Sequence, residues 1–281
     1  MRNREQIELW NGPAAEGWIR RGEALDGILA ELTEVALRSA GFRRGEKVLD
    51  LGCGCGTTSL AIARRVGPDG AVIGLDISRP MLVVARRRAR EAGLENLRFE
   101  AVDVQDGDLG SGADAAFSRF GLMFFADPLG AFGNILGALR SGGRLQFLAW
   151  AEPERNPFLS VPLGEAARRL ERNPAAPGTP GPFGLADAES TRRLLELAGF
   201  EEIVIEAREP CLRLPSSREL FDLLVELTPG LRAAVEGLAR RARKALLAAI
   251  DERLASYRSG EGLELPARVW WVSAWRAFEA A

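Results

Sequence analysis

Between residues 46 and 150, short apolar runs alternate with longer stretches whose apolar residues recur at helical spacing. Strands are predicted at residues 47–51, 71–75, 97–104, 113–117 and 144–150, and helices at residues 57–66, 79–92 and 128–139. Ser78 is predicted to cap the second of these helices, and glycine and proline mark the turns between elements. Strands that alternate with helices at this spacing predict a doubly wound, parallel α/β sheet with helices on both faces.

The segments on either side of this region follow other patterns. Residues 1–40 are predicted to be helical, and an apolar stripe that includes Leu25 and Leu32 follows the helix predicted at residues 22–39. Residues 152–185 are rich in proline and are predicted to form a surface loop. The remaining predictions are a helix capped by Asp187 and ending near residue 198, a strand at 201–207, helices over 216–258 with a break near Pro229, and a last strand at 268–278.

Composition excludes several classes of function. The 281 residues carry 37 basic and 39 acidic side chains, so the net charge of −2 gives no global attraction to nucleic acid or acidic membranes. The chain has no histidine, which removes Ser-His-Asp and Cys-His catalysis, and its three cysteines provide neither a metal site nor a disulfide framework. The first residues lack the pattern of a secretory signal, and no run of 18 apolar residues predicts a membrane span. The expected compartment is a reducing cytoplasm.

A glycine-rich loop joins the first predicted strand to its helix. Gly52, Gly54 and Gly56 let the backbone approach a ligand closely, and the following helix offers free N–H groups at its N-terminus. A dinucleotide site needs G-x-G-x-x-G, whereas Thr57 stands at the position of the third glycine. A nicotinamide-dependent oxidoreductase is therefore the less favoured alternative.

Three acidic residues stand at the ends of successive strands. Asp50 precedes the glycines, where it would repel a pyrophosphate but attract an ammonium group. Asp76 is placed to accept from both hydroxyls of a ribose, and Asp103 from the exocyclic amine of adenine. S-adenosylmethionine (SAM) carries all three groups, so it is the predicted ligand.

The chain resembles the class I SAM-dependent methyltransferases over residues 46–150. VLDLGCGCGTTSLAIA is similar to the family's first motif, GLDIS to its ribose-binding motif and EAVDVQD to its adenine-binding motif. SRFGLMFFADP and LRSGGRLQFLAW resemble the fourth- and fifth-strand motifs of the branch that includes ubiquinone and menaquinone biosynthesis methyltransferases. These motifs in this order are more specific than one glycine loop.

The resemblance implies a role for each matching residue. It places Asp50 and the three glycines at the methionine moiety, Asp76 at the ribose, and Asp103 at the adenine. The other residues implied to contact the cofactor are Ile77, Met81, Val104 and Arg119, and those implied to face the methyl group or substrate are Phe120, Met123 and Phe124. Trp10 and Trp18 are implied to form part of a lid over the methyl donor. The competing interpretations are an ion pair for Arg119, helix packing for Trp10 and core packing for the other aromatic residues.

The resemblance also implies the architecture and the activity. The expected fold is a Rossmann-like, seven-stranded, mostly parallel sheet with helical lid insertions at both ends of the chain. The expected units are an N-terminal helical lid at 1–40, a SAM-binding core at 41–151, and residues 152–281 with the remaining strands and a substrate cap. The expected reaction is methyl transfer to a small molecule, with S-adenosylhomocysteine (SAH) as the product and no identifiable catalytic base. Neither nucleic acid, a membrane span nor a metal is expected, and a homodimer and a noncatalytic SAM-binding protein stay open.

Overall fold

A seven-stranded sheet lies at the centre of the protein in the computed structural model, which describes residues 3–169 and 178–278. In the described residues the strands are β1 (Lys47–Leu51), β2 (Ala71–Asp76), β3 (Leu97–Ala101), β4 (Ala113–Arg119), β5 (Leu139–Trp150), β6 (Phe200–Arg208), β7 (Cys211–Leu214), β8 (Arg258–Ser259), β9 (Gly262–Pro266) and β10 (Val269–Arg276). The order in the large sheet is β3-β2-β1-β4-β5-β10-β6. Strand β10 runs antiparallel to both of its neighbours, and the other pairs are parallel. The predicted mostly parallel, seven-stranded sheet is confirmed.

Helices cover the sheet and extend beyond its carboxyl edge. In the described residues they are α1 (Arg4–Asn11), α2 (Pro13–Ile28), α3 (Ala30–Ser39), α4 (Thr57–Val66), α5 (Arg79–Glu91), α6 (Pro128–Ala138), α7 (Pro157–Arg169), α8 (Ala188–Ala198), α9 (Ser217–Leu227), α10 (Pro229–Glu236) and α11 (Arg240–Arg253). Ser78 accepts from the backbone N–H of Met81, and Asp187 from that of Ser190, so both predicted caps are present. None of these helices is both long enough and apolar enough to cross a membrane.

Two boundaries in the core differ from the prediction by three residues or more. Strand β5 begins at Leu139 rather than residue 144, because a bulge lets β5 remain paired with β4 on both sides of Ser141-Gly142-Gly143. Strand β3 ends at Ala101 rather than residue 104. Asp103 therefore lies in the loop after β3 and not on the strand.

The prediction of a loop throughout residues 152–185 is wrong. Residues 157–169 form α7 although Pro162 lies inside the helix. Phe158, Leu159, Pro162 and Ala166 are all buried at helical spacing, so packing of this face outweighs the hydrogen bond that the proline cannot make. The part of this prediction at residues 170–177 lies outside the described residues.

A second sheet was not predicted. Strands β7, β9 and β8 pair in that order, antiparallel, and each of β7 and β9 buries alternate residues. The short strands flank the predicted helical region, which is observed as α9, α10 and α11 with the expected break at Pro229. These elements give the carboxyl edge of the large sheet a cover.

The N-terminal helices join this cover through a close backbone contact. A Cβ at Gly17 of α2 would lie 1.9 Å from the carbonyl oxygen of Glu226 in α9, so only glycine fits. Trp18 donates its indole N–H to the carbonyl of Leu227 at 3.2 Å. Helices α2 and α9 therefore form one layer across the edge of the sheet.

Candidate functional site

A cavity of about 380 Å³ lies at the carboxyl edge of the parallel strands, beneath the layer formed by α2 and α9. It faces the point between β1 and β4 where the strand order reverses, which is where open α/β sheets bind ligands. Its volume is within the range of roughly 300–1,000 Å³ that is typical of small-molecule sites. Its wall includes residues from the loops after β1, β2, β3 and β4 and from α1, α2, α7, α9 and the start of α10.

The glycine loop after β1 forms one side of the cavity. Gly52 and Gly54 line it with φ angles of +66° and +55°, which side chains with a Cβ rarely adopt. A Cβ at Gly54 would lie 2.8 Å from the methyl of Met81, and one at Gly52 would lie 3.0 Å from Cα of Gly121. The two glycines thus leave backbone exposed to a ligand at a place where no side chain fits.

Gly56 has a different position from the other two glycines. It is not part of the cavity wall, and it caps the N-terminus of α4 in the left-handed conformation. A Cβ there would lie 3.0 Å from Ala85 and Phe99. Gly56 therefore permits α4 to pack closely against α5 and β3.

Asp76 lies at the end of β2 and lines the cavity beside the glycine loop. Its carboxylate accepts from the backbone N–H of Gly54 at 2.7 Å and of Ser78 at 2.8 Å. Burial raises the pKa of Asp76, while these backbone donors act in the opposite direction. Ile77 and Met81, which the resemblance placed at the adenosine, line the same part of the wall.

Asp103 and Val104 line the next part of the wall, beyond the end of β3. The Asp103 carboxylate accepts from the backbone N–H of Gln105 at 3.1 Å. Its second oxygen accepts from the side-chain amide of Asn3 at 2.9 Å. Asn3 immediately precedes α1, so the N-terminal helix is attached to the loop that was predicted to bind adenine.

Asp50 is not part of the cavity wall, although it was predicted to attract the ammonium group. It is fully buried behind the loop, where one carboxylate oxygen accepts from the hydroxyls of Thr58 at 2.7 Å and Ser59 at 2.5 Å. Its other oxygen is buried without a hydrogen-bond partner. Burial raises the pKa of Asp50 to about 6, and the two hydroxyl donors and the Arg119 charge oppose the increase. Asp50 thus bonds to the first turn of α4 and does not line the cavity.

Arg119 lines the cavity and forms an ion pair there. The ion pair was the alternative to a cofactor contact in the sequence analysis. Arg119 donates to Asp26 of α2 at 2.5 Å and to the hydroxyl of Thr33 in α3 at 3.0 Å. Asp26 also accepts from the hydroxyl of Thr57 at 2.6 Å. Sequence reasoning missed Asp26, whose only signal was its place beside Leu25 on an amphipathic helix. The Asp26 carboxylate joins the N-terminal helices to the glycine loop and to β4.

Aromatic side chains form another part of the cavity wall, here called the aromatic end. Phe120 lies after β4 at a φ of +62° and stacks on Trp150, with ring centroids 4.4 Å apart and an interplanar angle of 9°. Trp10 makes edge contacts with Trp18 at 5.9 Å and with Phe124 at 5.2 Å. The residues that line this aromatic end are Trp10, Trp18, Phe120, Met123, Phe124, Trp150, Phe158, Leu159, Leu224 and Leu227.

Trp150 and Phe158 were not among the predicted substrate-facing residues. The position of Trp150 at the carboxyl end of a parallel strand was a signal that could have identified it. Phe158 lies on α7, in the segment that was predicted to be a loop, and its ring lies 6.1 Å from that of Trp150. Because the sequence did not predict α7, it gave no indication of the direction of the Phe158 side chain.

Few groups that could exchange a proton line the cavity within the described residues. Those with a carboxyl are Asp26, Asp76 and Asp103, and all lie outside the aromatic end. Burial raises the pKa of Cys55 to about 11 and that of Cys53 well above its usual value, so both thiols stay protonated near neutral pH. Among the described residues, no group of three or more acidic or cysteine side chains is arranged to hold a metal ion.

Sequence comparison identifies the segment that contributes the loops of this site between β1 and β5. Residues 42–155 match the family model of a methyltransferase domain. The matched segment contains the glycine loop, Asp76, Asp103 and Arg119, and its strands form the parallel part of the sheet. This segment of the chain is similar to methyltransferase domains.

Relatives of the methyltransferase domain include enzymes of small-molecule metabolism. Aklanonic acid methyltransferase DauC from Streptomyces sp. (strain C5) is 36% identical over 104 residues, which are 37% of this chain and 47% of the relative. Demethylmenaquinone methyltransferase from Thermus thermophilus is 38% identical over 114 residues, 40% of this chain and 51% of the relative. The chain thus spans about half the length of these curated relatives.

A solved structure resembles the methyltransferase domain together with its covering helices. It is phosphoethanolamine N-methyltransferase 2 from Haemonchus contortus, in complex with phosphomonomethylethanolamine and S-adenosylhomocysteine. The TM-score is 0.56 at 17% sequence identity, over 88% of this chain and 53% of the other. At this identity the likeness concerns the fold alone.

Proposed function

We propose that the chain binds SAM in the cavity and transfers its methyl group to a small-molecule acceptor by in-line displacement, which releases SAH. The observation that carries the proposal is that one cavity connects a polar edge, with Asp76 and Asp103, to an aromatic end. A ligand with a polar nucleoside at one end and a reactive methyl group near the other is suited to this division. The names of the relatives, which include a quinone and an aklanonic acid methyltransferase, support this substrate class.

The residues of the polar edge fit the cofactor. Gly52 and Gly54 line the cavity and carry no side chain of their own, as close approach of a ligand to the backbone requires. Asp76 would accept from the ribose hydroxyls with the lone pairs that its two backbone donors leave free. Asp103 and Val104 would contact the adenine, with Ile77 and Met81 against the adenosine.

The methionine end of the cofactor would lie near Asp26 and Arg119. Both side chains line the cavity, and they carry opposite charges, as the ammonium and carboxylate of an amino acid require. Because Asp50 is behind the loop, Asp26 replaces it as the proposed partner of the ammonium group. Arg119 would retain its cofactor role together with its ion pair to Asp26.

When bound, SAM supplies a methyl group already activated by its sulfonium centre, so the protein need not form a covalent intermediate. The aromatic end excludes water and fixes the acceptor against Phe120, Met123 and Phe124. Because its described lining carries no carboxyl, imidazole or amine, this end offers no general base. The proposed acceptor is therefore an amine, a thiol, a phenolate or an activated carbon that reacts without one.

We also propose how the rest of the chain serves this reaction. Residues 1–40 act as the lid, residues 41–151 as the cofactor-binding core, and residues 152–281 as the remaining strands and substrate cap.

Nucleic acid is not the proposed partner, because Arg86 and Arg88 of α5 bond to the carbonyl of Phe99 and the carboxylate of Glu23. A cytoplasmic location agrees with three free cysteines, and a homodimer is the proposed assembly to test by light scattering.

Methyl-label transfer tests the proposed function. The purified protein would be incubated with methyl-labelled SAM and cell extract, which is then separated into solvent-extractable, protein and nucleic-acid fractions. We expect label in the extractable fraction. Label in protein or nucleic acid would contradict the substrate class, and tight SAM binding with no transfer to any fraction would favour a noncatalytic SAM-binding protein.

A further inference from the structure

Asn3 has a side chain that does not follow its local preference. Asparagine at the N-cap of a helix usually accepts from a backbone N–H of the first turn. Asn3 is the N-cap of α1, yet its side chain makes no such bond. Its amide nitrogen instead donates to Asp103, one hundred positions away in the chain, at 2.9 Å. The position of this side chain is thus set by the cavity wall and not by its helix.

The carboxylate of Asp103 also fixes which way the Asn3 amide faces. An ionised carboxylate only accepts hydrogen bonds, so the amide nitrogen of Asn3 must be the atom that faces it. The amide oxygen is then left buried without a partner, on a residue that is 7% exposed. Buried acceptors are rarely left unpaired in folded proteins, and this one belongs to a residue of the cavity wall. The site therefore has an unused acceptor beside Asp103.

We propose that Asn3 and Asp103 together bind the exocyclic amine of adenine, with Asp103 accepting one N–H and the amide oxygen of Asn3 accepting the other. An exocyclic amine has two N–H groups, so one carboxylate oxygen alone leaves the second without a protein partner. Asp103 retains free lone pairs, because it accepts only from Gln105 and Asn3 among the described contacts. This inference rests on the proposed SAM-binding function and adds a cofactor-binding residue from outside the matched domain.

A second asparagine attaches the same helix and provides a matched control. Asn11, at the other end of α1, donates to the carbonyl of Ile77 at 2.9 Å and accepts from the backbone N–H of Arg79 at 3.0 Å. Both asparagines therefore hold α1 against loops of the core, but Asn11 is not part of the cavity wall. Loss of Asn11 should loosen the helix without changing what faces the adenine amine.

The experiment compares two ligands and three proteins by titration calorimetry. The ligands are SAH and S-inosylhomocysteine, in which a carbonyl oxygen replaces the exocyclic amine. The proteins are the wild type, Asn3→Ala and Asn11→Ala, and Asn3→Ala removes no helix cap. We expect the wild type to prefer SAH, Asn3→Ala to lower that preference roughly fivefold, and Asn11→Ala to weaken both ligands equally.

Two results would overturn the inference, and a third would overturn the proposed function on which it rests. An unchanged preference in Asn3→Ala would show that Asn3 only holds the helix in place. Tighter SAH binding by Asn3→Ala would show that Asn3 competes with adenine for Asp103. Failure of the wild type to bind SAH would instead overturn the proposed function itself, which distinguishes the two failures.

Discussion

At the scale of the residue, Asp76 combines a structural and a binding role in one carboxylate. The carboxylate accepts from the backbone N–H groups of Gly54 and Ser78 and so holds both loops in place. The same side chain also lines the cavity. We expect Asp76→Ala to weaken SAM binding at least about tenfold, because charged hydrogen bonds to the ribose are lost. Calorimetric titration with SAH, together with the melting temperature of the unliganded variant, measures both roles. Unchanged affinity would contradict the assignment of Asp76 to the ribose.

Phe120 shows how a single residue can carry backbone strain into a binding site. Its φ of +62° costs a residue with a Cβ about 1–2 kcal/mol, and the stacking of its ring on Trp150 accompanies this conformation. Both Phe120→Ala and Phe120→Gly remove the ring, but only glycine also removes the strain.

We therefore expect the Phe120→Gly variant to be more stable than the Phe120→Ala variant, with a free energy of unfolding about 1 kcal/mol higher. Urea denaturation of the two variants side by side measures the difference, and the shared loss of the ring cancels between them. An alanine variant as stable as the glycine variant would show that the backbone at residue 120 is not strained.

At the scale of the element, an ion pair holds the N-terminal helices to the sheet. Asp26 of α2 and Arg119 at the end of β4 have side chains that are 21% and 14% exposed. Removal of either one leaves the other largely buried without its charged partner, which is more costly than loss of a surface pair.

A double-mutant cycle measures this contact. For Asp26→Ala and Arg119→Ala we expect a coupling energy of about 1–3 kcal/mol from chemical denaturation, because charge-assisted hydrogen bonds link the two elements. The matched control is Arg4 with Glu8, whose side chains are 75% and 62% exposed and for which we expect at most about 0.5 kcal/mol. Equal coupling in both cycles would mean that Asp26 does not fasten the lid.

Elements that show a pattern in their own stretch of sequence were predicted. Features that depend on contacts with distant parts of the chain were not. The core strands and helices repeat a pattern that is complete within about 30 residues, so their order and the polar edge with Asp76 and Asp103 followed from it. Asp26 and Asn3 act through partners 93 and 100 positions away, which no local pattern encodes. Phe158 was missed because the proline content of its segment outweighed the apolar spacing that forms α7.

At the scale of the whole molecule, the buried carboxyl of Asp50 links overall stability to pH. Its pKa is about 6 in the folded protein against an ordinary value of 3.8, because burial disfavours the charged form. Between these pH values the folded protein holds a proton that the unfolded chain has released. The free energy of unfolding therefore falls as pH rises from about 4 to about 7, by roughly 3 kcal/mol for this group.

Asp50→Asn removes this titration and isolates its effect. We expect the stability of the variant relative to the wild type to increase with pH over that interval, as measured by urea denaturation at several pH values. Asp187→Asn is the control of opposite sign, because its bonds to Ser190 lower the pKa of Asp187, and the stability this gives is lost as pH falls. The Asp187 variant should become less stable relative to the wild type as pH rises toward the ordinary value of 3.8, which lies below the interval in which Asp50 acts. Parallel pH profiles for wild type and Asp50→Asn would show that the buried carboxyl does not bind its proton more tightly after folding.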